Sequence, residues 1–466
     1  MNKLKSDDLR SKIQQTKGNS KAMFKILNAS LNRKQELPLP HHNNDEHLAN
    51  EFNQFFDEKI KMIRSKLDSS IGTASNDAYA NVQNKLSQFK ALSESEVKKL
   101  ITNMPVKHCQ LDPLPTWLLL ECIDEFVPVI TKIVNISLTH GEMPQELKHA
   151  LVKPLLKKTG LDLIKKNYRP VSNLSFLSKI IESAVIKQYI DHFSRNKLHD
   201  EKQSAYKQYH STETLLTKVH NDIMLSLSKG EVTMLVLLDL SAAFDTIDHG
   251  ILLKRLQKRY GVHSSALAWF KSYISDRSQS VTINDKVSNK LPLNFGVPQG
   301  SKLGPILFNS YIAPVSEVAR RNHVEDQKYA DDEQLILSFK PILETQSQAV
   351  SKMEKCITDI RNFLHENKLC NNGDKTELLL IGAPQQLKKL QVSSIKIENV
   401  EIKTLDHVRN LGVIFDKSMT MENQVKKMCK NTYFNIRNFS KIRKSLDKET
   451  IKILMNTYTT IDFSNT

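Results

Sequence analysis

Apolar residues change their spacing several times along the 466 residues, and each change predicts an element. From 47 to 67, Leu48, Phe52, Phe55, Phe56, Ile60, Ile63 and Leu67 recur three or four apart, the mark of a helix with one apolar face. Ser93 and Glu96 form a capping box that opens a second helix through Val97, Leu100 and Ile101. Residues 147–156 turn into an apolar run and predict a strand. Helical spacing returns over 173–230, with Ile180, Ile181, Val185, Ile186 and Ile190 in one stretch and Leu215, Leu216, Val219 and Ile223 in the next. Val232 to Leu238 holds β-branched residues, leucines and one methionine; it is too short for a core helix and predicts a buried strand. A helix is expected over 251–260. Strands 281–283 and 291–293 flank Asn284-Asp285 and suggest a hairpin. Residues 327–339 predict another hairpin, its turn carrying Asp331 and Asp332. A helix over 343–364 and a strand over 377–381 follow. Between these elements, 35–45 (two prolines, paired histidines and asparagines) and 69–83 (Ser, Asn and Ala) have linker composition, and 1–33 is basic and helix-permissive.

Composition narrows the class. With 39% apolar and 25% charged residues the chain describes a globular protein with ample core, long enough for several domains. A formal charge of +16 suits a polyanionic partner, and no apolar run is long enough to span a bilayer. Cys109, Cys122, Cys356, Cys370 and Cys429 are scattered and odd in number, which predicts reduced thiols in the nucleus or cytoplasm and no structural zinc. The first residues do not resemble a secretory signal.

Chemistry enters where two apolar runs each stop at an aspartate. One is Leu237-Leu238-Asp239-Leu240-Ser241-Ala242-Ala243-Phe244; the other is Lys328-Tyr329-Ala330-Asp331-Asp332. A carboxylate at the end of a buried strand is costly unless it is paired or metal-bound. Three such groups at neighbouring strand ends could hold two divalent cations for in-line displacement at phosphorus. Asp245 and Asp248 add two more carboxylates, but their spacing puts them in the following turn and helix start, where capping accounts for them better.

Phe295-Gly296-Val297-Pro298-Gln299-Gly300-Ser301 lies between the two runs. The order Asp239, then Val297-Pro298-Gln299-Gly300, then Tyr329-Ala330-Asp331-Asp332 resembles the palm of reverse transcriptases. Asp239 to His249 resembles the first palm motif of non-LTR (LINE-type, jockey-like) retrotransposon polymerases, Asn167-Tyr168-Arg169-Pro170-Val171-Ser172 their fingers motif, and Asn410-Leu411-Gly412-Val413-Ile414-Phe415-Asp416 the segment leading to the thumb. That resemblance implies an α+β right-hand polymerase fold, with fingers, a palm on an antiparallel sheet and a helical thumb. The expected divisions are a basic helical region with linkers (1–90), a helical lead-in (91–136), fingers and palm (137–416) and a partial thumb (417–466).

The same resemblance implies an RNA-directed DNA polymerase that extends a DNA primer on an RNA template with dNTPs. Asp239, Asp331 and Asp332, with the carbonyl of Leu240, are the expected ligands of two Mg²⁺ ions, Mn²⁺ being the substitute. Lys375 is expected to protonate the departing pyrophosphate. Lys157 and Arg169 are expected on the triphosphate, with Lys153 in reserve for Lys157. The amides of Ala242 and Ala243 would face the same phosphates, and Phe244 would lie under the sugar. Gln299 and Gly300 would approach the incoming base pair. Further along, Lys426, Lys430, Arg437, Lys441 and Lys444 fall on one helical face, opposite Val425, Met428, Thr432, Ile436, Phe439, Ile442 and Leu446; a thumb helix on a duplex backbone and a solvated face both fit.

Departures from the pattern matter too. Gln203-Ser204-Ala205-Tyr206-Lys207 stands where Gln-x-Gly-Phe-Arg is more usual. Neither an endonuclease, a Cys/His knuckle nor a ribonuclease H segment is recognisable, so the chain resembles a partial copy of a mobile element. A catalytically silent nucleic-acid-binding remnant is the alternative function. No membrane and no protein partner are expected.

Overall fold

The computed structural model describes residues 2–17, 19–30, 38–69, 82–106, 109–158, 160–398 and 400–464. Most of the expected linker 69–83 and residues 35–37 lie outside them. Two sheets organise the molecule. The larger runs β12-β13-β11-β3-β9-β8, where β3 is Val232–Leu238, β8 Glu325–Tyr329, β9 Asp332–Phe339, β11 Glu377–Ile381, β12 Ser394–Ile397 and β13 Val400–Leu405. Strand β3 is central, antiparallel to both β9 and β11, while β11 and β13 are parallel.

Both faces of this sheet are covered, which is why β3 reads as a continuous apolar run and not as an alternation. Met234, Val236 and Leu238 enter the main core with Trp269, Phe308 and Ile357. Leu235 faces the other way, onto Leu379, Ile336 and the residues Leu215, Val219 and Ile223 of the helix Thr212–Ser228. Burying these side chains is worth roughly 1.5–3 kcal/mol each, so the strand end beyond Leu238 is firmly placed.

The second sheet holds β1 (His149–Leu156), β2 (Tyr168–Asn173), β5 (Arg277–Ile283), β6 (Lys286–Val287) and β7 (Leu291–Leu293). Strand β1 is antiparallel to β2 and parallel to β5. The expected hairpin of 281–283 with 291–293 is corrected here. Asn284 and Asp285, both at positive φ, turn β5 into β6, whereas Leu291–Leu293 pairs back with Arg277–Gln279.

The N-terminal region is bound to both ends of the molecule. Helices α1 (Asn2–Gln15) and α2 (Ser20–Ser30) share an apolar cluster with the C-terminal helices: Ile13, Met23 and Leu27 meet Leu446 and Leu454. Helix α3 (Asp45–Asp68) lays Leu48, Phe52 and Phe56 on Val152, Tyr168 and Val281 of the second sheet. Asn53 ties it down, donating to Ser288 Oγ (3.0 Å) and the Asn289 carbonyl (2.8 Å) and accepting from Gln279 Nε2 (3.0 Å). At its far end Arg64 pairs with Asp248 (2.8 Å) and lies over the Phe295 ring (4.4 Å). Among the described residues no helix is long and apolar enough to cross a membrane.

Candidate active site

Register brings the carboxylates together. Leu238 pairs with Glu333, so Asp239, the next residue, emerges beside Asp332 at the start of β9. Tyr329 pairs with Asp332, leaving Ala330-Asp331 as a two-residue hairpin loop. Such loops need positive φ at a central residue, usually supplied by glycine. Here Ala330 adopts φ +57°, a conformation costing an L-residue about 1–2 kcal/mol.

Gln203 holds that turn. Its Oε1 accepts from the N–H of Ala330 (2.9 Å) and of Ala205 (2.9 Å), and its Nε2 donates to the Ala330 carbonyl (3.1 Å). The neighbouring backbone is stitched to β8, Ser204 N–H to the Lys328 carbonyl (2.9 Å) and Lys328 N–H to the Lys202 carbonyl (2.8 Å). Beneath, the buried Lys328 ammonium pairs with Asp200 (2.8 Å) and donates to Ser316 Oγ (2.6 Å). The segment that departs from the usual pattern is thus the clamp on the carboxylate turn. Gln203 was in view in the sequence, but nothing there signalled its partner.

Electrostatics reflect the crowding. Burial and the charge of Asp239 raise the Asp331 carboxyl. Asp332 is pushed up to about 6, first by the surrounding protein and then by Asp331 and Asp239. Asp332 keeps contact with solvent, so the like charges are the cause that best describes its setting. Asp239 Oδ2 accepts from Lys375 Nζ at 2.9 Å, and its carbonyl accepts from Asn372 N–H. Lys375 ends the short turn Gly373–Lys375, next to β11. Leu240 lies in a two-residue strand, β4 (Leu240–Ser241), facing Asn371 of β10 (Cys370–Asn371). Tyr206, at φ +58° and 53% exposed, has its phenol raised by burial and then by Asp331, which places it near the carboxylates; its role was not foreseen.

The loop 296–300 is sewn in from two sides. Val297 N–H donates to the Phe244 carbonyl (2.9 Å) and Gly296 N–H to the Ile247 carbonyl (2.8 Å), while Ser172 N–H donates to the Gln299 carbonyl (2.7 Å). Gly300 sits at φ +122°, and a Cβ there would meet the Ser172 carbonyl oxygen at 2.1 Å, so only glycine fits. Glu182, fully buried, accepts from the N–H groups of Lys302 (2.6 Å) and Leu303 (3.0 Å) and so fixes the loop's exit.

Gln299 points its amide at Asp245, Nε2 to Oδ2 at 2.8 Å. Asp245 is therefore no helix cap, as the sequence had suggested; Asp248 is, accepting from Ile251 N–H (3.0 Å). Burial pushes Asp245 up to about 6, against the pull of Gln299 and Lys59. Ala242, at φ +51°, turns the chain after Ser241, and its carbonyl accepts from Asp245 and Thr246. Ala243 is buried beside it. The ring of Phe244 stacks on Phe308, centroids 4.5 Å apart and planes 23° from parallel.

Cations approach from the second sheet. Arg169 pairs with Leu155 across β1 and β2, two residues from Lys157, and Lys153 sits opposite Val171. Lys157 Nζ donates to the Lys166 carbonyl (2.7 Å); partial burial, then Lys59, Lys375 and Arg169, hold its ammonium below the ordinary lysine range. Lys59, on α3, was not foreseen.

The C-terminal stripe is only partly as expected. Lys426, Lys430, Arg437 and Lys441 lie exposed on the helix Glu422–Ile442, and Lys426 pairs with Glu422 (3.1 Å). Lys444 belongs to the separate turn Arg443–Ser445. The opposite stripe does not all turn inward: Phe439, Ile442 and Leu446 pack, but Val425 is 55% and Ile436 39% exposed, and the buried positions of the helix are Gln424 and Asn438. Polar Gln424 is held there because its Oε1 accepts from Ile414 N–H (3.1 Å).

Facing strand ends that bring aspartates side by side over a covered sheet are an arrangement suited to holding divalent cations for chemistry at phosphorus. Residues 155–415, more than half of the chain, match the family described as Reverse transcriptase (RNA-dependent DNA polymerase), and the chain belongs to that family. It is 24% identical over 354 residues to the probable RNA-directed DNA polymerase from transposon BS of Drosophila melanogaster, covering 74% of this chain and 38% of that protein. It is 28% identical over 264 residues to the RNA-directed DNA polymerase from mobile element jockey of the same organism, covering 55% and 28%. The chain spans about a third of the length of the curated relatives it matches. A solved structure of apo telomerase from Candida tropicalis shares 13% identity at a TM-score of 0.37, covering 56% of this chain and 54% of that one, a likeness too slight to carry an argument.

Proposed function

We propose that the chain is the RNA-directed DNA polymerase of a non-LTR retrotransposon, extending a DNA primer on an RNA template with dNTPs. One observation carries this: strand register brings Asp239 beside Asp332 with Asp331 in the adjoining turn, and Asp331 and Asp332 are raised first by burial and then by their like-charged neighbours. In this reading fingers and palm span 137–416 and thumb residues follow from 417.

Among the described residues no group of three or more His, Cys, Asp or Glu side chains is placed to hold a metal ion by itself. Carboxylate repulsion at an open strand end nevertheless fits Mg²⁺, which takes few carboxylates and fills its shell with water and substrate phosphate. Two Mg²⁺ (or Mn²⁺) ions, held by Asp239, Asp331, Asp332 and the Leu240 carbonyl, would supply charge neutralisation at the phosphates and activation of the primer hydroxyl. Lys157 and Arg169 bind the triphosphate, together with the backbone at Ala242 and Ala243. Lys375 releases Asp239 when substrate arrives and gives its proton to the departing pyrophosphate. Phe244 supports the sugar, and Gln299 and Gly300 shape the floor beneath the base pair. Lys426, Lys430, Arg437, Lys441 and Lys444 hold the template–primer backbone.

Primer extension on an annealed RNA template tests the proposal. Deoxynucleotide incorporation is expected from the unaltered chain, and Asp331→Ala should lower it by about three orders of magnitude or more, the scale of losing an electrostatic catalytic group. Template–primer affinity should stay near that of the unaltered chain, because binding rests on phosphate contacts. Retained binding with no extension by the unaltered chain would establish the silent remnant instead.

A further inference from the structure

Helix α3 lies outside the matched residues 155–415 and yet forms one wall of a cleft of about 70 Å³ that borders the site through Gln299. Phe56, Lys59 and Ile60 line it from α3, facing Pro170 of β2, Asp245 and Gln299. Residues 56, 59 and 60 share a helix face by their spacing of three and four. Burial of Phe56 in the second sheet therefore fixes where Lys59 emerges. The hydrogen bonds of Asn53 and the Arg64–Asp248 pair hold the helix on either side of it.

Carboxylates near this cleft are already engaged. Asp57 pairs with Lys61 (2.7 Å), Asp245 accepts from Gln299, and Asp239 accepts from Lys375. Among the described residues Lys59 makes no hydrogen bond or ion pair, and neither Lys59, Lys157 nor Arg169 has a carboxylate partner. The charge of Lys59 nonetheless reaches Lys157 and Asp245. Lys59 is close enough for its charge to act on Lys157, and Arg169 directly precedes Pro170 of the cleft wall, so these cations repel each other and focus a positive field beside the cleft, which an anion with several charges relieves. A triphosphate beside the carboxylates has that chemistry.

We propose that Lys59 is a phosphate-binding residue of the nucleotide site, delivered to the cleft by the N-terminal helix α3. This rests on the polymerase function proposed above. The N-terminal region then completes the nucleotide site, and the matched domain alone is short of one cation.

Calorimetric titration of dTTP with Mg²⁺ tests this on the full chain bound to an RNA template and a dideoxy-terminated DNA primer, so that no chemistry intervenes. Lys59→Ala should raise the dTTP dissociation constant about tenfold, the size of one lost charge-assisted phosphate contact. Lys59→Arg should recover most of that loss, since the guanidinium keeps the charge and forks onto phosphate. Lys66→Ala should match the unaltered chain, because Lys66 is exposed further along the same helix and does not line the cleft. Equal dTTP affinity for Lys59→Ala and the unaltered chain overturns the proposal. So does a loss confined to template–primer affinity, which would assign Lys59 to the template strand, and so does an unaltered chain that binds no dTTP. Primer extension separates the two ideas: Lys59-dependent dTTP binding without extension leaves Lys59 in place and removes the polymerase, whereas extension indifferent to Lys59→Ala does the reverse.

Discussion

The carboxylate hairpin and the C-terminal cationic helix were both picked out from sequence spacing, and they turn out to be built in opposite ways. At the hairpin, Ala330 is held in an unfavourable conformation by two hydrogen bonds from one side chain, over a buried ion pair. On the helix Glu422–Ile442, the cations stand exposed, and Tyr433 and Phe434 are exposed too, at 71% and 58%. The first region is fixed before any ligand arrives; the second offers charge without fixing it. Chemistry on a phosphorus atom needs the first arrangement, and holding a duplex of any sequence needs only the second.

The largest test of this contrast is Gln203→Ala. Two buried N–H groups and one carbonyl would lose their partner, costing on the order of 3 kcal/mol of stability or more at roughly 1–3 per unsatisfied group. Extension should fall by about 10- to 100-fold with little change in template affinity, since a loosened turn misplaces Asp331. An unchanged rate in chemically folded protein would break the link between the clamp and the site.

Phe244→Val sharpens the picture inside the rigid region. The stack on Phe308 predicts a packing loss of about 1–3 kcal/mol. If the ring also lies under the sugar, the ratio of kcat/KM for ribonucleotides over deoxynucleotides should rise about tenfold or more, because tightly packed sites tolerate little added volume. A fixed ratio assigns Phe244 to packing alone.

Acid titration probes the carboxylates directly. Asp332 and Asp245 both stand at about 6, above the ordinary aspartate range. At these two groups the folded chain binds more protons than the unfolded one between about pH 4 and pH 6, and their contribution to stability falls as pH rises through that window. Extension should change in the opposite sense, falling as pH drops below about 6 and the carboxylates protonate. Mg²⁺ should raise the melting temperature above pH 6 and have little effect below pH 4. A Mg²⁺-independent melting curve at neutral pH would count against ion binding at these groups.

The smallest effect is expected at the exposed helix. Replacing Lys426, Lys430, Arg437 and Lys441 with alanine should leave the fold intact and flatten the salt dependence of template–primer binding. Each lost phosphate contact contributes about −0.9 to the log–log slope on a B-form duplex. Lys426 should count least, being paired with Glu422. A slope that does not move would mean the face is only solvated.

What could be read in advance follows from the same contrast. Strands β3 and β11 were legible to the residue because short apolar runs buried on both faces admit few other structures. The three aspartates were legible as ends of such runs. The clamp was not, because Gln203 acts through the backbone of Ala330, and a backbone partner leaves no trace in residue type. Lys59 was hidden for a different reason: the stripe Leu48 to Leu67 announced a packed helix but not which sheet it would cover. Along the C-terminal helix, periodicity identified the cationic face and misjudged the other, where Gln424 is buried through a hydrogen bond and Val425 stays in solvent. Asp245 was misread as a cap for want of its partner Gln299, which arrives from a loop far along the chain.

The cluster joining α1 and α2 to the last helices has a temporal side. Arg10 donates to the Ser445 carbonyl across 435 positions of sequence, and Ile13, Met23 and Leu27 have Leu446 and Leu454 as partners. During synthesis the early helices leave the ribosome with that apolar face bare, and they keep it bare until nearly all of the intervening domain has been made. At about 5–20 residues per second that wait lasts some tens of seconds. Closure of this cluster is thus among the last folding events, and the early helices are the stretch most in need of a chaperone while the polymerase domain assembles between them and their partners.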